Sequence, residues 1–362
     1  MKITSRAVAE SALLVLALLA AWAPPAPAAI EGWFATGIYP AIQRSLTPLS
    51  NRLPFALIDL LGAVAVGLAG MMLARAAVGS IRTRKPWPAL QAVAHLAGAA
   101  AVTYLVFLLL WGLNYRRVPM TERLVLSAGS PSSDAVVQLG LQAAAQLNAL
   151  HAAAHRSGWR EPPWEDGALR RAFGEVQQFL SDAAPAAPGR LKRSALGYYF
   201  RWTGVDGMIN PFGLEVLVNP DLLPLERPFV AAHEWAHLAG YADESEASFV
   251  GWLTCVRASS PSQYSGWLAL YWQVSGEIGV EDRARVAGAL AGGPRADVDA
   301  IAARIRRGEW PWLRDAGWRI YDDYLKANRV QEGVRSYGAV ITLILRARFE
   351  EGWVPVRRRA GR

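Results

Sequence analysis

A mainly α chain, with apolar helices first and one α+β domain after them, is what three features of the sequence predict. Two apolar runs, 55–74 and 90–112, are each about 20 residues or longer, the length that crosses a hydrocarbon core of about 30 Å at 1.5 Å per residue. After residue 113 no run is long enough to cross again. In that remainder an imperfectly alternating, β-branched stretch at 213–218 runs shortly before a helix that carries His233-Glu234-Trp235-Ala236-His237. The predicted division is a membrane region over 1–113 and a globular domain over 114–362.

Composition agrees with partial immersion in a bilayer. The 362 residues are 52% hydrophobic, mean hydropathy is +0.15, and 15 tryptophans suit a chain that meets a lipid interface. Cys255 is the only cysteine, which excludes an internal disulfide framework and a cysteine-rich zinc site. The net charge of +8 is scattered and not interleaved with aromatics, so no nucleic-acid partner is expected and anionic headgroups suit it better.

A shorter apolar segment at 11–29 follows Lys2 and Arg6 and reads as an uncleaved anchor, because Pro24, Pro25 and Pro27 crowd the small residues that cleavage would need. Asp59 and His95 fall within the two longer spans and are read as lying near span ends. Arg75, Arg82, Arg84 and Lys85 lie at or within the short connection between those spans. A short basic loop belongs on the cytoplasmic side, so the expectation is a multi-pass protein of the cell (inner) membrane with its large domain extracytoplasmic.

Within the large domain, 133–155 is Ala-, Leu- and Gln-rich and predicts a helix. A helix is expected over 224–240, with Pro228 in its opening turn and Gly240 at its end, and another from Asp243 to about Val256. Further helices are expected at 280–290, 298–307, 318–328 and 334–348, the last with 339–345 as a buried face.

Histidines four apart on a helix project from one face, where two imidazoles can share one Zn2+ at about 2.0–2.1 Å. Glu234 follows the first of them and is placed to deprotonate a metal-bound water. Phe229, Val230, Ala231, Ala232, Trp235, Ala236 and Leu238 make this helix apolar, and polar groups on a buried helix need a reason to be there. His151 and His155 repeat the spacing, but no glutamate follows the first and no acidic cluster is near in sequence, so that pair is assigned no metal.

Three protein ligands and an open position make a catalytic zinc site, and three acids follow the motif. Asp243 fits H-E-x-x-H-x-x-G-x-x-D if the chain turns sharply at Gly240. It also fits a helix cap with Glu246 as its capping-box partner. If a second helix folds back, a glutamate on it is the ligand. Glu246 precedes the apolar Ala247, Phe249 and Val250 and is taken first, ahead of Glu244 and Asp243.

Trp111-Gly112-Leu113-Asn114-Tyr115, the run from Gly207 to Asn219, HEWAHLAGYADESEASFVGWL, Tyr264-Ser265-Gly266 and the run from Tyr321 to Tyr337 together resemble domain-of-unknown-function family 3810, a bacterial family of membrane proteins. The resemblance covers nearly the whole chain. It implies three N-terminal spans and a zincin-like domain with a small sheet, and it speaks to architecture more than to reaction. The run from Glu244 to Leu253 is also similar to the E-x-E-A-N-x-F-A pattern of ImmA/IrrE-type metallopeptidases, which implies the second glutamate, Glu246, as ligand. Ser248 stands where both patterns favour Asn.

The expected function is a membrane-anchored zinc metallopeptidase of gluzincin-like type, acting on a peptide or protein of the cell envelope. The alternative is a non-catalytic zinc-binding sensor or scaffold of the envelope. Tyr241, Tyr264 and Arg257 are candidates for stabilising an oxyanion, and nothing in the sequence chooses among them.

Overall fold

The computed structural model describes residues 5–159, 166–308, 310–327 and 336–358. The expected match between 321 and 337 therefore lies partly outside the described residues. The chain is mainly helical with a small sheet, and helices Leu57–Thr83 and Trp87–Leu110 are long and apolar enough to cross a membrane. The first runs nine residues past the predicted end at 74, beyond Arg75, because charged residues at a helix end need not interrupt it, and the second starts three residues before the predicted 90 and stops two before 112. Arg84 turns the chain between them with φ of 50°.

The run at 11–29 is not one helix. Helix Ser5–Trp22 stops ahead of Pro24 and Pro25, and a second helical run, Pro27–Asn51, leaves at 106°. Prolines lack the N–H that a continuing helix would use and push the preceding residue out of the α region. Counted as one bent crossing, this pair would bring the number of spans to three. His95 Nδ1 lies 2.8 Å from Glu10 Oε1, joining Ser5–Trp22 to Trp87–Leu110, where Gly98 leaves room for the glutamate.

The packing crosses the expected boundary at 113. Ile30, Phe34, Ala35 and Tyr39 belong to the same buried core as the large domain. Pro27–Asn51 donates inward from its polar positions: Tyr39 Oη to the Leu238 carbonyl at 2.7 Å, and Thr47 Oγ1 to the Leu214 carbonyl at 2.8 Å. This run carries polar side chains on its inward face, unlike the two uniformly apolar spans.

Strand β1 (Leu191–Lys192) pairs parallel with β3 (Glu215–Val218), and β2 (Gly207–Asn210) pairs antiparallel with β3, giving the order β1-β3-β2. The strand expected at 213–218 starts two residues late because Leu214 takes a turn conformation with φ of 43°. Its alternation is imperfect because Glu215, Val216 and Leu217 are all buried, on both faces of the sheet. Buried Glu215 accepts from Lys192 Nζ at 2.7 Å, Asn210 Nδ2 at 2.9 Å, and the Leu57 and Ile58 amides at 3.0 and 2.9 Å. A carboxylate is thus set on the positive end of Leu57–Thr83 and welds the sheet to it. Asp59 accepts from Ser194 Oγ at 2.6 Å and the Ala195 amide at 3.0 Å, so it lies at the end of the span. Phe200 packs with Ala56 and Ile58, which brings exposed Tyr198, Tyr199 and Trp202 beside that first turn. Such an aromatic group suits a bilayer interface.

The predicted helices of the large domain are present as Ser133–Ser157, Arg227–Leu238, Glu244–Val256, Val280–Gly288, Gly292–Gly308, Pro311–Ala327 and Ser336–Arg346, of which Gly292–Gly308 and Pro311–Ala327 start six and seven residues before the predicted 298 and 318. Val340, Ile341, Leu343 and Ile344 form the buried face of the last. Ser260–Glu277 packs along Ser133–Ser157 and against both helices of the motif region.

Candidate metal centre

Arg227–Leu238 has Pro228 in its first turn, where the missing N–H costs nothing, and is followed by a turn at Gly240 with φ of +84°. The reversal there lets Glu244–Val256 return against it. Asp243 caps that second helix, its Oδ1 accepting from the Ser245 and Glu246 amides at 2.9 and 3.2 Å. Gly251 sits where an added Cβ would come within 3.1 Å of the His233 amide nitrogen, so the two backbones meet closely at the motif.

The acid this brings to the histidines is Glu244. His233 Nε2 and His237 Nε2 are 3.1 Å apart, and Glu244 Oε2 lies 3.2 Å from the first and 3.5 Å from the second. Glu246, taken first from the sequence, is turned away. It accepts the Met120 amide and lies 3.6 Å from Arg123 Nη2. Two residues along a helix is a rotation of about 200°, so only one of Glu244 and Glu246 can face the histidines. The choice is made by Met120 and Arg123, which the sequence does not place beside Glu246. Asp243, the third candidate, is committed to its cap.

The imidazoles are oriented from behind. His237 Nδ1 donates to the Tyr241 carbonyl at 2.8 Å, so in the neutral ring that a metal requires Nε2 is the lone-pair nitrogen. His233 Nδ1 pairs with Ser248 Oγ at 3.2 Å, and Gln273 Nε2 is 3.5 Å behind that hydroxyl. Ser248 therefore occupies a working position although it departs from the Asn of the similar families. Trp111, the residue after Trp87–Leu110, donates its indole N–H to the His237 carbonyl at 2.9 Å. Arg117 donates to the Gly240 carbonyl at 3.1 Å and to Glu31 at 2.8 Å. The span end and the Pro27–Asn51 run thereby hold the turn after the motif. Trp111 was legible only as part of a family pattern, and Glu31 carried no signal.

Glu234 is buried beneath β2. A Cβ on Gly207 would come within 2.6 Å of its Oε1, so the strand can lie over the carboxylate only as glycine there. Its Oε2 is buried without a hydrogen-bond partner among the described residues. Burial pushes its pKa up to about 8, with Glu244 adding to the rise and His237 opposing it. Burial disfavours charge on His237 and Glu244 too, yet their mutual attraction prevails: His237 is raised to about 9 and Glu244 held well below the usual carboxylate range. His233 goes the other way, lowered by burial and by His237 against the pull of Glu244.

Two imidazole nitrogens and one carboxylate oxygen form a triangle with edges of 3.1, 3.2 and 3.5 Å. A tetrahedral ion bonded at about 2.0–2.1 Å needs edges of about 3.3–3.4 Å. The residues present therefore fit a Zn2+-sized cation with almost no rearrangement. Tyr241, Tyr264 and Arg257 are placed for other duties. The Tyr241 ring lies within cation–π distance of Arg117 and Arg123, Tyr264 donates to Asp297, and Arg257 donates to the Gly352 carbonyl.

Residues 34–345 match the model of the DUF3810 family, described as a protein of unknown function. The chain belongs to that family. No curated protein and no solved structure matches it. The matched residues include helices Leu57–Thr83 and Trp87–Leu110, the three-stranded sheet and the two helices of the motif region.

Proposed function

We propose that this chain is a membrane-anchored zinc metallohydrolase, a peptidase of gluzincin-like type, with His233, His237 and Glu244 as the metal ligands and Glu234 as the general base. The observation that carries the reading is the near-equilateral triangle of ligand atoms, with a buried, otherwise unpartnered carboxylate on the residue between the two histidines. A purely structural site has no use for Glu234, and burying it unpaired is costly. Bound zinc would polarise a substrate carbonyl and lower the pKa of a coordinated water to about 7. Glu234 would take a proton from that water and pass it to the leaving amine, the general-base role of a carboxylate beside a metal-bound water. His237, oriented by the Tyr241 carbonyl, and His233, oriented by Ser248, would hold their Nε2 atoms in place throughout.

A peptide substrate is supported by the sheet. β2 pairs only with β3 among the described strands, leaving its other edge for an extended chain, and its Gly207 borders Glu234. With Trp87–Leu110 as a span, the bond from Trp111 to the His237 carbonyl would set the site close to the bilayer, and the basic turn between the spans favours an extracytoplasmic domain, so membrane-proximal envelope polypeptides are the proposed substrates.

The test is Glu234→Gln in the full-length protein, assayed against a fluorogenic peptide library. Hydrolysis should fall by about 10²–10⁴-fold while stoichiometric zinc is retained. Wild-type activity in that variant would refute the assignment.

A further inference from the structure

Asp297 turns the second histidine pair into another three-ligand cluster. We propose that His151, His155 and Asp297 form a second, solvent-accessible site for a divalent transition-metal ion, separate from the His233/His237/Glu244 centre and independent of any catalytic role for it.

Helix Ser133–Ser157 presents both histidines from one face, with ring centroids 4.2 Å apart. Helix Gly292–Gly308 brings Asp297 across to them, some 140 residues later in the chain. Its Oδ2 lies 2.9 Å from His155 Nε2 and 3.6 Å from His151 Nε2, and one ligand atom from each of the three residues falls within 4.8 Å of the others.

Hydrogen bonding alone does not account for this convergence. Tyr264 Oη donates to the same Oδ2 at 2.6 Å, and with His155 it uses both lone pairs of that oxygen. His151 Nε2 is left aimed at an oxygen that it is too far away to bond. A shared cation explains its position, because the distances of 2.9 and 3.6 Å lie a few tenths of an ångström either side of the 3.3–3.4 Å or so that a tetrahedral ion requires. The pocket is also fitted to the ring: a Cβ on Gly293 would come within 2.4 Å of His151 Cε1. Tyr264 supplies the outer hydrogen bond that fixes a ligating carboxylate.

Two imidazoles and a carboxylate select borderline divalent ions such as Zn2+, Ni2+ or Cu2+ over Ca2+ or Mg2+. The His155 side chain is 36% exposed, so water completes the coordination and the ion exchanges with solvent. Bound there, it would staple Ser133–Ser157 to Gly292–Gly308 over Tyr264. The neighbouring Ser265 accepts the Phe229 amide at 3.0 Å, in the opening turn of the motif helix.

The experiment is equilibrium dialysis of the full-length protein in nanodiscs against Zn2+, with metal counted by mass spectrometry. His155→Ala and Asp297→Asn should each bind one ion fewer than wild type. The His233→Ala/His237→Ala variant should keep the ion that those substitutions remove. Adding Asp297→Asn to that double variant should abolish stoichiometric binding. Zn2+ should also raise the melting temperature of the His233→Ala/His237→Ala protein and leave its Asp297→Asn derivative unmoved. If His155→Ala and Asp297→Asn both bind as much Zn2+ as wild type, the site does not exist. If the wild type binds one ion and His233→Ala/His237→Ala still binds it, the second site stands and the proposed hydrolase centre falls.

Discussion

Helix Arg227–Leu238 and helix Ser133–Ser157 each carry histidines four residues apart, yet their surroundings have little in common. His237 is buried and His233 half-buried, their Nδ1 atoms are engaged by the Tyr241 carbonyl and Ser248, and a glutamate stands between them in sequence and beneath a strand edge in space. His151 is half-buried and His155 exposed, their rings tilted against each other, and their acid comes from a distant helix. Spacing on a helix aligns two nitrogens in both places. What would separate the proposed hydrolytic centre from the proposed ion site is the rest: deeper burial, a carboxylate that is not a ligand, and a strand edge beside it.

The sharpest way to break the comparison is Glu244→Ala. It should remove zinc from the motif centre and with it all hydrolysis, a loss of at least about 10³-fold, while zinc at the His151/His155 site remains; peptide assay and metal counting check both halves. Glu246→Ala should do the opposite of what its neighbour does. Zinc content should be unchanged, and the protein should lose about 1–3 kcal/mol in thermal unfolding, because the Met120 amide and Arg123 lose a buried partner. Zinc loss in Glu246→Ala with retention in Glu244→Ala would reverse the ligand assignment.

A smaller effect is expected from Gly251→Ala, whose added methyl presses on the His233 backbone at 3.1–3.2 Å. The two helices must part by a few tenths of an ångström, at a cost of about 1–3 kcal/mol, and zinc affinity should weaken without disappearing. Asp243→Ala removes only a cap and should cost about 0.5–2 kcal/mol with zinc retained, read from the melting temperature and metal content together. The smallest change belongs to the second pair: His151→Ala should leave hydrolysis within twofold of wild type, since it touches neither Glu234 nor the three motif ligands. A large fall in activity there would show that the two pairs work as one system.

Much of the architecture was legible because it is local. The two apolar helices, the helix of the motif and the one after it, and the buried face over 339–345 all follow from runs and periods along the chain. Pro27–Asn51 was not legible as part of the large domain, because its inward-facing Tyr39, Gln43 and Thr47 are polar and find their partners near residues 187, 214 and 238. The short strands β1 and β2 escaped for a similar reason: two or four residues carry too little period to register.

By itself, then, the sequence determined that His233 and His237 share a helix face with Glu234 between them, because 3.6 residues per turn leaves no other arrangement. It narrowed the third group to Asp243, Glu244 and Glu246 and could go no further, since helix rotation about its own axis is set by what packs around it. Only the tertiary structure decided that rotation. The Met120 amide and Arg123, held just beyond the Trp87–Leu110 helix, take Glu246, and Asp243 is spent on the helix cap, so Glu244 turns to the histidines. The same dependence on distant partners hid Asp297 from His151 and His155: ligands that meet across helices are joined by packing, which no local spacing records.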